Sequence, residues 1–256
     1  KEMLPIVDRP CIEYVVAEAV AAGMERIVLI TAQGKQAQVD YFQPSPNLEA
    51  HLQAQGKSAL LDTVRRVGRL ATVVPVRQDE ALGLGHAVLQ ARDAVGDEPF
   101  AVLLGDDIID ADVPCLSQLL DGRKPGQGVV ALMQVPRQET HRYGVCAGEM
   151  IREDQMQIEA MVEKPAPEDA PSQYAIVGRY VLPADIWDIL ARTEQGAGGE
   201  IQLTDALAVL AGEGRMTGRV FQGQRFDTGN VVGLLRASLH YGLKRPDLEP
   251  EIRALL

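Results

Sequence analysis

Apolar residues recur at helical spacing after Pro10, at Ile12, Val15, Val16, Ala19 and Val20, until Gly23 supplies a stop. That spacing predicts an amphipathic helix. A β-branched run over 26–31 follows at once and reads as a strand buried in a sheet. Helical patterns return near 35–42, 46–55 and 57–67. A strand is predicted over 72–76, where Pro75 marks an edge or a bulge. A helix over 84–95 leads into the apolar run 100–104, which ends in Gly105-Asp106-Asp107.

Strands alternating with helices predict right-handed βαβ crossovers and an α/β fold: an open parallel sheet with helices on both faces. Ligands in such folds bind beyond the carboxyl ends of strands, so the residues that follow a strand matter most. After 125 the pattern loosens into strand candidates at 129–135, 143–147, 156–163 and 174–182. A helix over 183–193, a loop over 195–200, a helix over 202–211 and a strand over 217–222 come next, and helices near 230–243 and 247–255 close the chain. No internal repeat or interdomain linker interrupts the pattern, so one domain over 1–256 is expected.

The 25 Lys and Arg against 36 Asp and Glu give a formal net charge of −11, which argues against nucleic acid as a partner. Any anionic ligand must be held by a few local cations, so a small molecule is expected. The longest uninterrupted apolar run, 206–211, is far short of the roughly 20 residues of a membrane span. The opening residues Lys1 to Pro5 lack the apolar core of a signal peptide, so a cytoplasmic location is expected. Cys11, Cys115 and Cys146 are scattered, which fits packing roles in a reducing compartment. The four histidines show no metal-ligand spacing, and zinc is not expected.

Four stretches could carry chemistry. Asp106 and Asp107 follow an apolar strand, where a carboxylate can hold Mg²⁺ or simply form a turn or cap. Asp227, in Arg225-Phe226-Asp227-Thr228-Gly229-Asn230, lies between a strand and a helix and reads equally as a second metal ligand or an N-cap. In Gln78-Asp79-Glu80-Ala81-Leu82-Gly83-Leu84-Gly85-His86, the Gln78 amide offers the donor and acceptor that a nucleobase edge requires. Gly83 and Gly85 permit close approach of a ligand, or form a plain turn. His86 reads as a packed or capping residue. Neither a P-loop nor G-x-G-x-x-G occurs, which removes the common NTPase and dinucleotide readings. Glu163-Lys164-Pro165 ends a strand. If both charged residues are extended their side chains diverge, one toward a hydroxyl and one toward a phosphate, unless the two are only a solvated pair. Lys1 carries the same two readings.

Taken in order, Lys1-Glu2-Met3-Leu4-Pro5-Ile6-Val7-Asp8, Gln78 to His86, Leu103 to Asp107, Val162-Glu163-Lys164-Pro165, Ala175 to Tyr180, Gly196 to Leu207 and Phe226 to Gly229 resemble the bacterial UTP–glucose-1-phosphate uridylyltransferases, the UDP-glucose pyrophosphorylases. The resemblance covers essentially the whole chain. It implies a Rossmann-like nucleotide-diphospho-sugar transferase fold with an open mixed sheet. It also implies magnesium on Asp106 and Asp227, base recognition by Gln78 and Gly83, sugar contacts at Glu163, Gly178 and Gly144, and phosphate contacts at Lys164 and Lys1. The family opens with a strand and a G-x-G-T-R loop ahead of the K-E-M-L-P motif. The sequence here begins at that motif, so a further N-terminal segment is expected.

The implied reaction joins UTP and glucose 1-phosphate into UDP-glucose with release of pyrophosphate, and a homo-oligomer is implied as well. The sugar phosphate is already an anion, so positioning and charge neutralisation suffice without a general base. Competing readings are a thymidylyl- or cytidylyltransferase for a related sugar 1-phosphate, and a catalytically silent nucleotide-sugar sensor.

Overall fold

The structure, a computed structural model, describes residues 1–256, with the side chain of Ala197 excepted. The chain divides into two compact units. The first comprises Lys1–Pro75, Gly105–Asp110 and Gln224–Leu256; the second comprises Val76–Leu104 and Ala111–Gly223.

The first unit begins with a two-stranded ribbon, β1 (Pro5–Ile6) and β2 (Arg9–Pro10), that feeds α1 (Cys11–Ala21). The strand β3 (Arg26–Thr31) follows, then α2 (Gln36–Tyr41), α3 (Pro46–Ala54) and α4 (Ser58–Val67), and β4 (Thr72–Arg77) pairs with β3. The apolar stripe read from the sequence is the core here: Ile12 and Val16 of α1 pack with Leu29, Val39, Phe42 and Val67. A buried carboxylate sits among them. Glu13 accepts a 2.5 Å hydrogen bond from the Tyr41 hydroxyl and lies 2.8 Å from the Arg66 guanidinium, so it ties α1 to both α2 and α4. The later chain returns to this unit as β6 (Asp107–Asp110), β12 (Gln224–Asp227), α10 (Val231–Leu243) and α11 (Glu249–Leu255).

The second unit is built on six strands: β5 (Phe100–Leu103), β7 (Gly128–Gln134), β8 (Gly144–Arg152), β9 (Gln155–Glu163), β10 (Tyr174–Leu182) and β11 (Met216–Val220). Their order is β5-β10-β7-β11-β9-β8. Its helices are α5 (Leu84–Leu89), α6 (Arg92–Val95), α7 (Cys115–Leu120), α8 (Ile186–Arg192) and α9 (Leu203–Gly212). Only β7 and β11 pair in parallel; the other neighbours are antiparallel. The sheet is therefore mixed, as the family resemblance implies, and the all-parallel expectation fails. Strands β8 and β9 are joined by a tight hairpin, a connection that cannot return a strand in the same direction. Val130, Leu132, Val145, Ile158 and Leu182 fill the sheet's core, and α9 packs on β9. No described helix is long and apolar enough to cross a membrane.

The single helix predicted over 84–95 is broken into α5 and α6, and α7, β6 and β12 add elements that the sequence pattern did not mark.

Candidate active site

In the first unit, β6 and β12 form an antiparallel ribbon with Asp227 opposite Asp107 and Phe226 opposite Ile108. Asp107 is buried and accepts a 2.7 Å hydrogen bond from Arg225, two residues before Asp227 on the facing strand. That ion pair fastens the ribbon and leaves Asp106, in the turn before β6, as the outward-facing carboxylate of the pair. The Thr228 amide and hydroxyl both donate to the Asp106 carbonyl at 2.8 Å, which fixes the Asp106 backbone against the end of β12. Gly229 N–H donates to Asp227 Oδ1 at 3.0 Å. The N-cap of α10 is Asn230, whose side chain accepts from Gly233 N–H at 2.8 Å, so Asp227 is not the cap. Asp227 ends a strand of its own.

The two carboxylates converge. A Cβ placed on Gly229 would lie 3.0 Å from Asp106 Oδ2 and 3.0 Å from Asp227 Oδ1, with Lys1 Nζ 3.7 Å away. Lys1 Nζ donates to Asp106 Oδ2. That hydrogen bond raises the Lys1 ammonium above the usual lysine range despite partial desolvation, with Asp227 adding to the effect. Two hard oxygen donors brought together beside a cation held by one of them suit Mg²⁺, which takes one or two carboxylates and completes its shell with water and phosphate oxygens. No group of three or more His, Cys, Asp or Glu able to hold a metal occurs among the described residues, so those other oxygens would be required.

In the second unit, Gln78 follows β4 directly. Its amide nitrogen donates to the Gly83 carbonyl at 3.3 Å and meets His86 Nδ1 at 2.9 Å, while His86 Nε2 meets the Gln90 amide at 3.1 Å. His86 thus bridges the Gln78 and Gln90 amides and orients Gln78, a role the sequence reading did not give it. The glycines answer first to a neighbouring segment. Gly83 has φ +105°, and a Cβ there would stand 2.7 Å from the Ile201 carbonyl. Ile201 N–H donates to the Leu82 carbonyl and Gly85 N–H to the Ile201 carbonyl, both at 2.8 Å, so 82–85 and 201 form a two-bond ladder.

Gly144 and Glu163 face each other across β8 and β9. The Glu163 carboxylate is mostly buried and accepts a 2.6 Å hydrogen bond from the Thr204 hydroxyl. The expectation that Glu163 and Lys164 diverge is overturned. Lys164 is not extended: its φ is +47°, its N–H is held by the Tyr143 carbonyl at 2.9 Å, and its Nζ turns back to 3.4 Å from Glu163 Oε1. The alternation rule applies within a strand, and β9 ends at Glu163. Gly178 lies in β10, near the register shift between Ile176 and Tyr180, and its carbonyl accepts from Leu104 N–H at 3.0 Å. The same carbonyl accepts from the buried Arg179 guanidinium at 2.9 Å. Thr204, Thr228 and His86 are the partners that sequence reasoning left without a functional role.

A family model described as nucleotidyl transferase matches residues 1–243. A UTP–glucose-1-phosphate uridylyltransferase of Staphylococcus saprophyticus is 46% identical over 98% of this chain and 88% of its own length. Among solved structures, a UTP-bound UGPase from Acinetobacter baumannii superposes with a TM-score of 0.90 at 39% identity, covering 99% of this chain and 90% of that one. A UDP-glucose pyrophosphorylase complexed with UDP-glucose gives a TM-score of 0.87 at 40% identity, covering 96% and 91%. With two converging carboxylates, an oriented amide and a carboxylate–lysine pair on one chain, and with likenesses over nearly all of it, the chain belongs to the nucleotidyl transferase family, among the bacterial UTP–glucose-1-phosphate uridylyltransferases.

Proposed function

We propose that the protein transfers the uridylyl group of UTP to glucose 1-phosphate, giving UDP-glucose and pyrophosphate, with Mg²⁺ held by Asp106 and Asp227. The observation that carries this reading is the convergence of those two carboxylates beside the Lys1 ammonium. When bound there, the ion supplies charge neutralisation to the phosphates. Lys1 releases Asp106 and turns its ammonium to a phosphate oxygen, a short motion for a flexible side chain that is half exposed. Gln78 presents the uracil edge with an amide oxygen that carries no hydrogen bond to the described residues, and the backbone at Gly83 closes on the base. Glu163 accepts sugar hydroxyls, the backbone at Gly144 and Gly178 approaches the sugar, and Lys164 meets the sugar phosphate.

These groups position an anionic nucleophile in line with the α-phosphorus and neutralise charge; no side chain has to take a proton. Three buried free cysteines support a reducing, cytoplasmic setting. An exposed apolar row on α10, Val231, Leu235 and Leu239, supports association into a homo-oligomer.

Pyrophosphate release from UTP and glucose 1-phosphate, titrated with Mg²⁺, tests the reading. Asp106→Ala and Asp227→Ala should each lower turnover by about 10³-fold or more, equivalent to about 4 kcal/mol of barrier. Wild-type turnover in either variant at ordinary magnesium would remove the two-carboxylate site.

A further inference from the structure

We infer that Thr204 is a positioning residue for the sugar: its hydroxyl locks the Glu163 carboxylate in one orientation, and that lock sets the discrimination among hexose 1-phosphates. The inference rests on the proposed role of Glu163 as the acceptor of sugar hydroxyls.

A glutamate has three side-chain torsions, and an unrestrained one samples many rotamers. Glu163 is restrained by one strong contact. Thr204 Oγ1 donates to its Oε2 at 2.6 Å, a charge-assisted bond across 41 residues of sequence. Thr204 is suited to the task because it is buried in the first turn of α9, which packs against β9, and its β-branched side chain has few rotamers in a helix. The opposite strand leaves no slack: a Cβ on Gly144 would lie 3.1 Å from both Glu163 Oε2 and Thr204 Oγ1.

The other donor cannot do this work. Lys164 Nζ stands 3.4 Å from Oε1 on a side chain that is 53% exposed, so it neutralises charge without fixing direction. The next residue after Thr204 is a second carboxylate, Asp205, which burial first and the charge of Glu163 second hold above the usual carboxylate range. Without the Thr204 bond, rotamer freedom would let the carboxylate leave its place. With it, each Glu163 oxygen keeps a second lone pair in a defined direction. Epimeric sugars differ in the direction of one hydroxyl, so a fixed acceptor can separate them and a swinging one cannot.

Steady-state kinetics with glucose 1-phosphate and galactose 1-phosphate tests this on the full chain, with Tm measured for every variant. Thr204→Val keeps the shape and deletes the donor. It should raise KM for glucose 1-phosphate about 10-fold and shrink the glucose-to-galactose ratio of kcat/KM by a similar factor, with kcat and the KM for UTP changed by less than about 3-fold. Thr204→Ser keeps the hydroxyl and should recover most of the loss. In the Glu163→Gln background, Thr204→Val should add little, because it acts through Glu163. Should Thr204→Val fail to fold, Thr204→Ala against Thr204→Ser makes the same comparison. A wild-type KM and epimer ratio in Thr204→Val, or equal impairment in the Ser and Val variants, would overturn the inference while leaving the Glu163 role intact. If Glu163→Gln itself leaves KM and epimer ratio unchanged, the reading of Glu163 falls and this inference falls with it.

Discussion

Lys164 shows how much one backbone angle decides. A left-handed φ costs a non-glycine residue about 1–2 kcal/mol, yet here it carries the ammonium back to the carboxylate of its own neighbour. Lys164→Gly should therefore hold or slightly raise Tm while pyrophosphate release falls about 100-fold. Lys164→Ile should lose the same activity and several degrees of Tm as well. Thermal melts and turnover on the two variants check this, and normal turnover in Lys164→Gly would strip the residue of its proposed phosphate role. Asp106 was legible because a carboxylate straight after an apolar strand stands at the mouth of a fold of this class. The conformation of Lys164 was not, since a left-handed non-glycine leaves no compositional mark. Thr204 was hidden in another way: it sits in an apolar helical pattern that accounts for its neighbours, and its partner is 41 residues away.

Among the elements, α1 to α4 were readable because helical periodicity is a local property, written within a dozen residues. β6 and β12 are four residues each and stabilise one another across more than a hundred residues of chain, so neither has a pattern of its own to read. The consequence for Asp227 was a carboxylate recognised as a candidate but placed in a loop. The same ribbon is gripped by α10 from both ends. At the start Asn230 caps the helix three residues after Asp227; near the end His240 and Lys244 both reach Asp110, His240 at 2.5 Å. Burial alone would raise the Asp110 carboxyl, but the Lys244 and His240 hydrogen bonds outweigh it and hold the group below the usual carboxylate range. A depressed carboxyl contributes stability that is fully present above its unfolded pKa and is lost as pH falls through its folded value. Tm should thus drop as pH is lowered below about 4. Asp110→Asn should lower Tm at neutral pH and flatten that acid limb. A parallel shift of the whole Tm–pH curve, with the acid limb as steep as in wild type, would show that this clamp does not govern acid stability.

Over the whole molecule, a net charge of −11 surrounds a chemistry of polyanions, so attraction must come from local cations, the part proposed for Lys1 and Lys164, and not from the overall field. Within the second unit, the two-bond ladder between 82–85 and Ile201 joins the loop that carries Gln78 to the segment that leads into Thr204. In thermodynamic terms that stitch is a shared variable: whatever orders one loop prepares the other. Nucleotide and sugar phosphate should therefore strengthen each other's binding, by about 5-fold, and linkage makes the factor the same in both directions. Calorimetry with a non-hydrolysable UTP analogue, with and without glucose 1-phosphate, would measure that factor from either side. Gly83→Ala, which forces a side chain into the Ile201 backbone, should bring it close to one and weaken both ligands together. A substitution on the Gln78 loop would then be read out as a loss of affinity for the sugar.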